Sequence, residues 1–354
     1  MKITVIGPAF PYKGGGAHHT TELAHRLALA GHEVTLESWK AQYPSFLYPG
    51  QQTIEEPEGA PFPGTRRELS WRRPDGWYAL GRRLRGQDLV VFAVLSPVQV
   101  PAYLGILTGL SGRAPAVALC HNVLPHERSF YDRPLVKALL KRVSAVLVHS
   151  PEQARLAESL TARPVAVAEM PAHLVVGPPE SRAEGVRRRL LFFGIVRPYK
   201  GLDVLLRALP EDVALTVAGE FWSGLDETRA LISERRLDVD LRPGYVPAKD
   251  MPGLFEEADA LVLPYRSATA SQNVWLAFEH GLPVIATRVG SFAAQVTDEV
   301  DGLLCEPGDA GSLAEAIKRF YAPGEPERLR AGVRPVDPGP VWDAYVATLT
   351  ELSR

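Results

Sequence analysis

The sequence predicts an α/β protein built from two doubly wound parallel-sheet domains, and three observations carry that expectation. Short apolar runs recur along the whole chain, and each is followed by a stretch with helical spacing. Successive strands joined by helices demand parallel pairing with right-handed crossovers. The alternation occurs twice, on either side of a stretch rich in Pro, Gly and charge from Pro171 to Gly185. At 354 residues the chain is long enough for two domains of ordinary size. The expected divisions are residues 1–175, residues 185–335, and a terminal helix within 336–354 that carries Val341 and Trp342 and packs back on the first domain.

Composition narrows the class. Hydrophobic residues make up 46% of the chain, enough for a sizeable core, and a formal net charge of -2 gives no global nucleic-acid signature. Cys120 and Cys305 lie far apart, each beside apolar sequence, and read as reduced core thiols of a cytosolic protein rather than a metal pair. MKITVIG runs straight into a strand without an apolar run of signal-peptide length, and no uninterrupted apolar stretch reaches spanning length.

In the first half, Lys2–Ile6 reads as a strand buried on both faces. The loop GPAFPYKGGGAHH follows, then a helix from about Thr20 to Ala30, closed by Gly31, and the strand HEVTLESW. Gly14, Gly15 and Gly16 form either a flexible turn or a place where backbone approaches a ligand closely. The spacing is not the dinucleotide fingerprint, because His19 stands where the last glycine belongs. His18 and His19 at the helix start either touch what the loop holds or are surface histidines. Residues 40–65 form a long irregular loop, functional or mobile. Arg66, Arg67, Arg72, Arg73, Arg82, Arg83 and Arg85 follow with Trp71, Trp77 and Tyr78, opposed within that stretch by Glu68 and Asp75. The mixture suits an anionic membrane surface or acceptor, or else a solvated helix face. Asp88–Ser96 and Ala116–His121 are further buried strands. His121, at the carboxyl end of the second, is the leading ligand-contacting candidate of this half, with His126 and Glu127 behind it. Pro134–Val143 reads as a basic amphipathic helix, and Ala145–Ser150 as a strand leading into a helix opened by Ser150-Pro151-Glu152.

The second half repeats the pattern with LLFFG, ALTVAGE, ALVLP, PVIAT and GLLCEP. Its centre is Phe192–Leu209. There Gly194 breaks a strand, Arg197 and Lys200 occupy a short loop with Pro198 and Gly201, and a helix begins at Leu202. Two cations between a strand's end and a helix suit a multiply charged anion such as a diphosphate, or are plain surface charge.

Taken together, these stretches resemble the family four, group 1 glycosyltransferases, which are B-type and retaining. The resemblance rests on GGGAHH with LAHRLALAGHEV, on HNVLPHE, GIVRPYKGLDVLLRAL, VAGE and MPGLFEEADALVLPYRS, and on GLPVIATRVG with DGLLCEPGD, in that order. It covers nearly the whole chain. It implies a GT-B fold, two Rossmann-like domains facing across a cleft. It also implies roles. Arg197 and Lys200 bind the donor diphosphate. Gly15 and Gly16 lie against donor and acceptor, with His18, His19 and His126 on the acceptor side. His121 approaches the transferred sugar. Gly219 borders the donor, Gly244–Val246, with Tyr245, packs on the base, and Thr269–Asn273, including Ser271 as cap and Gln272, wrap the diphosphate. One departure is plain. The family's two glutamates, eight positions apart ahead of G-x-P-V, are Ala268 and Leu276 here, which marks a variant branch. Glu279, one turn after Leu276, either supplies the missing carboxylate or closes the helix electrostatically.

The implied reaction moves a sugar from a nucleoside-diphosphate sugar, a UDP- or GDP-sugar, to a glycan, lipid-linked or small-molecule acceptor with retention of configuration. No cofactor, metal or nucleic acid is expected. His121, Arg197 and Lys200 are the catalytic candidates, in a cytoplasmic protein with loose contact to an anionic membrane. Two rivals remain: a nucleotide-sugar binding protein without turnover, suggested by the absent glutamates, and a sugar-nucleotide epimerase on the same fold.

Overall fold

The computed structural model describes residues 1–44, 50–173, 185–269 and 271–353. Most of the expected linker at 171–185 and part of the loop at 40–65 lie outside the described residues. The chain separates into two compact units, one made of Met1–His173 with Pro338–Arg354, the other of residues 174–337.

The first unit runs β1 (Lys2–Ile6), α1 (Gly15–Leu29), β2 (Glu33–Ala41), β3 (Thr65–Ser70), α2 (Pro74–Arg83), β4 (Leu89–Val94), α3 (Val100–Leu110), β5 (Ala116–Cys120), α4 (Asp132–Leu140), β6 (Ala145–Val148), α5 (Pro151–Glu158) and β7 (Val165–Val167). Among the described residues its strands lie in the order β3-β2-β1-β4-β5-β6-β7. Every pairing is parallel. The order reverses between β1 and β4, the switch point of a doubly wound sheet.

The second unit runs β8 (Arg189–Phe193), α6 (Leu202–Ala208), β9 (Ala214–Gly219), α7 (Leu225–Arg235), β10 (Val239–Pro243), α8 (Met251–Glu256), β11 (Ala260–Leu263), α9 (Asn273–Glu279), β12 (Val284–Thr287), α10 (Phe292–Gln295), β13 (Gly302–Cys305), α11 (Ala310–Phe320) and α12 (Glu325–Gly332). Its strand order, β10-β9-β8-β11-β12-β13, has the same plan, again all parallel. Here the switch point falls between β8 and β11. The last helix, α13 (Gly339–Glu351), belongs to the first unit.

Strand alternation explains the layers. Val90, Phe92 and Val94 of β4 join a core with Tyr103 and Trp39 on one face of the sheet. Leu89 and Val91 join Ile3, Val5, Leu23 and Leu27 on the other. That second core also contains Trp342, Tyr345, Val346 and Leu349 of α13. The terminal helix therefore covers sheet surface that would otherwise face water. Cys120 and Cys305 are buried free thiols, each pushed up to about 12 by burial.

The elements differ from the sequence expectation in three ways. Helix α1 starts at Gly15 rather than Thr20, because Gly14 takes φ 86 and its carbonyl accepts from the amides of Ala17 and His18. Gly15 and Gly16 thus form the first helical turn. Strands β3, β7 and β10 were not expected. The arginine-rich stretch divides between an exposed edge strand and α2, and the carboxylate of Glu37 on β2, fully buried, pairs with both Arg83 (2.9 Å) and Arg66 (3.7 Å). That counterion lies outside the stretch and cannot be seen by counting charges within it.

Candidate active site

The second unit gathers its polar groups at the carboxyl ends of β8 and β11. Two glycines allow this by close backbone approach. A side chain at Gly219 would put its Cβ 1.8 Å from the Gly194 carbonyl oxygen, and one at Gly201 would meet the Pro264 carbonyl oxygen at 2.0 Å. Gly194 has φ 103, and a Cβ there would lie 3.5 Å from Lys200 Nζ and 3.6 Å from Asn273 Nδ2. The ammonium and the amide therefore meet over a bare peptide. Asn273 Nδ2 donates to the Phe193 carbonyl (3.1 Å) and to the Tyr265 hydroxyl (3.3 Å). Lys200 Nζ lies 5.1 Å from the Tyr265 ring centroid. Burial, then the neighbouring Arg197, hold its ammonium below the usual lysine range, while Tyr199 pulls the other way. Arg197 lies over Trp222, with its guanidinium carbon 4.9 Å from the ring centroid. These side chains present positive charge and donors on a half-buried floor. Fixed donors and cations of this kind suit an oxyanion.

A hollow of 590 Å³ is lined by Gly244, Tyr245, Val246, Lys249, Asp250 and Leu254, among others. It begins where β10 ends. Thr269 is half-buried nearby in sequence, and residue 270 lies outside the described residues. Ser271 Oγ accepts from the Asn273 amide at 3.3 Å, but the capping position itself is held by Gln272, without a side-chain cap. Ser271 thus supports the turn from one position further out than expected.

Glu279 ends α9, half-buried, and burial raises its pKa. No cation pairs with it among the described residues, so it does not close the helix electrostatically. A carboxylate at a helix C-terminus opposes the macrodipole. The chain has one Asp-x-Asp stretch, Asp238-Val239-Asp240. It lies at the amino end of β10, away from the carboxyl edge of its own sheet, and Asp240 pairs with Arg242 at 2.6 Å. Among the described residues no group of three or more His, Cys, Asp or Glu is placed to hold a metal ion.

In the first unit, side chains from α1 and from just beyond β5 and β6 come together. Gly16 is held against Leu95, whose Cδ1 a Cβ would meet at 2.5 Å. His18 Nε2 pairs with Glu58 at 2.9 Å. His19 departs from its expected place. It is fully buried, on the inner face of α1, rather than facing what the loop holds. Its ring packs edge-on to His121, with centroids 4.7 Å apart, and 6.0 Å from His149. His173 and Tyr345 bond its two nitrogens at 2.7 and 3.1 Å. Burial first, and then the neighbouring imidazoles, hold His19 and His121 well below the usual range. His121 is half-buried, and its Nε2 has no hydrogen-bond partner. His126 is half-buried midway along the loop between β5 and α4. The sequence reading passed over His149 and His173. Position at a strand's carboxyl end could have flagged His149, but nothing local marks His173.

The chain is similar to known proteins in sequence and in fold. Residues 13–169 match the family described as Glycosyltransferase Family 4, and residues 187–322 match Glycosyl transferases group 1. The chain belongs to the family four, group 1 glycosyltransferases. Similar curated relatives are D-inositol 3-phosphate glycosyltransferases. That of Saccharomonospora viridis is 32% identical over 145 residues, 37% of this chain and 34% of the relative. That of Salinispora arenicola is 30% identical over 198 residues, 49% of this chain and 44% of the relative. The match thus spans less than half the length of those relatives. Among solved structures, sucrose-phosphate synthase from Thermosynechococcus elongatus aligns over 99% of this chain and 98% of its own with TM-score 0.71 and 20% identity. Anabaena HepE, in complex with UDP and glucose, aligns over 99% and 100% with TM-score 0.71 and 16% identity. At such identities the likeness speaks for the fold, which is GT-B. No helix among the described residues is long and apolar enough to cross a membrane.

Proposed function

We propose that the protein is a retaining glycosyltransferase that takes a sugar from a nucleoside-diphosphate donor. The observation that carries the reading is the convergence of Lys200 Nζ and Asn273 Nδ2 over Gly194, beside Arg197 and at the switch point of the second unit. When the donor's glycosidic bond breaks, charge builds on the leaving phosphate oxygen. Arg197 and Lys200 oppose that charge as fixed cations, without a divalent ion. Asn273 holds the floor in register with β8 and β11.

The hollow beyond β10, with Tyr245 and Val246, takes the base, and Thr269 to Gln272 wrap the diphosphate. UDP bound to HepE supports a uridine donor, and the inositol-phosphate relatives support a small polyol among the acceptor classes. His121 faces the transferred sugar as a neutral imidazole, able to donate to or accept from a hydroxyl. The sugar leaves and the acceptor arrives on one face, which retains configuration. Loose contact with an anionic membrane through Arg66–Arg85 belongs to the same reading.

The test is release of nucleoside diphosphate from UDP- and GDP-sugars by the intact chain, with Arg197→Ala and Lys200→Ala alongside. Release that is lost in both variants supports the assignment. Release that both variants leave intact overturns it.

A further inference from the structure

Four imidazoles lie together in the first unit, and one residue organises them. His19 is in ring contact with His121, His149 and His173, and Trp342 of α13 stacks on it at 5.3 Å. No carboxylate is among the groups that shift these four rings. Their surroundings are the Trp342 and Tyr345 rings, the Ala168 carbonyl that bonds His149 Nδ1, and the Ala172 carbonyl that accepts from Trp342 Nε1. Arg26 lies over the Trp342 ring, 5.8 Å from its centroid, and His18 pairs with Glu58 at 2.9 Å.

Such a hub is kept neutral, and neutrality imposes a direction. A neutral imidazole has one donor and one acceptor nitrogen. His19 Nδ1 meets His173 Nε2 and His19 Nε2 meets the Tyr345 hydroxyl, so both bonds run in one sense along Tyr345–His19–His173. The hydroxyl of Tyr345, 326 residues from His19, can donate or accept, so it holds the rotation of the ring in either sense. That ring is the surface against which His121 packs, nearly perpendicular at 88°.

We propose that Tyr345, His19 and His173 are positioning residues for the transfer reaction: a hydrogen-bonded relay, anchored by the terminal helix, that seats the His121 ring, whose buried Nε2 has no partner of its own. The inference rests on the His121 role given above. It assigns α13 a part in the chemistry beyond covering the sheet.

Two measurements test it. The first needs no substrate. Long-range proton–nitrogen NMR of the imidazoles in the intact chain is expected to show His19 as neutral, with its Nε2 resonance shifted in Tyr345→Phe by loss of the hydroxyl partner. The Phe variant keeps the ring and removes only the hydroxyl, so the helix stays packed. An unchanged His19 Nε2 resonance in Tyr345→Phe overturns the relay. The second is a double-mutant cycle of Tyr345→Phe with His121→Ala, read as nucleoside diphosphate released from UDP-glucose or GDP-mannose, whichever turns over faster. Tyr345→Phe is expected to lower kcat about tenfold, the equivalent of one net hydrogen bond, at unchanged donor KM. In the His121→Ala background it is expected to cost nothing further. Losses that multiply in the double variant overturn action through His121. A His121→Ala enzyme with full activity overturns the His121 role itself, and the NMR result then stands separately on whether the relay exists.

Discussion

Lys200 Nζ lies 5.1 Å from the centroid of the Tyr265 ring, so the end of one central strand of the second sheet supplies the cation and the end of the other supplies its seat. Neither residue is placed by local sequence. Lys200 follows β8 and Tyr265 follows β11, which pair in parallel across the switch point. Removing Lys200 or Arg197 is expected to raise the barrier to donor cleavage by about 3 kcal/mol, more than a hundredfold in kcat. Steady-state release of nucleoside diphosphate checks it.

Asn273 tests the seat without touching the cation. Its amide bonds the Phe193 carbonyl and the Tyr265 hydroxyl. Asn273→Ala is expected to destabilise the second unit by roughly 1–3 kcal/mol and to raise donor KM. Denaturant unfolding and donor titration read the two effects separately.

Asp259 is the structural counterpart. Fully buried, it accepts from the amides of Arg187 and Arg189 and from the Tyr321 hydroxyl, and it lies 3.5 Å from Arg330. Asp259→Ala leaves a cation and two amides without their acceptor, and a loss on the order of 3–5 kcal/mol is expected in chemical denaturation.

The histidine hub predicts a pH dependence with a definite sign. Burial lowers His149 to about 4 and His173 to about 3 in the folded chain, against an unfolded value of 6.5. Below 6.5 the unfolded chain takes up protons that the folded chain does not. Stability is therefore full above 6.5, falls as the pH drops, and levels off below about 3. His149 alone contributes roughly 3 kcal/mol across its window. Urea unfolding at neutral pH and near pH 5 is expected to show the first unit losing stability. Equal midpoints at the two values would contradict the burial of the cluster.

Contact with an anionic membrane is the least constrained expectation, because Arg66 and Arg83 already pair with Glu37. Co-sedimentation with phosphatidylserine vesicles is expected to be weak and to vanish as salt rises. Binding that persists in high salt contradicts an electrostatic contact.

Much of this was legible in the sequence. The strands buried on both faces announce themselves as apolar runs, and Arg197, Lys200 and His121 stand where strands end. What was not legible depends on residues distant in sequence. Strand β3 carries Arg66 and Arg67 outward, so it lacks the apolar signature of a buried strand. Glu37 reads as one polar residue in a strand until the fold brings Arg66 and Arg83 over it. His19 looks like a loop histidine because its burial is completed by Trp342 and Tyr345, at the far end of the chain. Gly15 and Gly16 look like loop and are helix, because Gly14 alone makes the turn.

The most direct measurement is single-turnover release of nucleoside diphosphate from a UDP-sugar by the intact chain, beside Lys200→Ala at saturating donor. The account predicts a release rate that falls more than a hundredfold in the variant while the donor still binds. Equal rates in the two proteins would contradict the assignment of Lys200 to the leaving diphosphate.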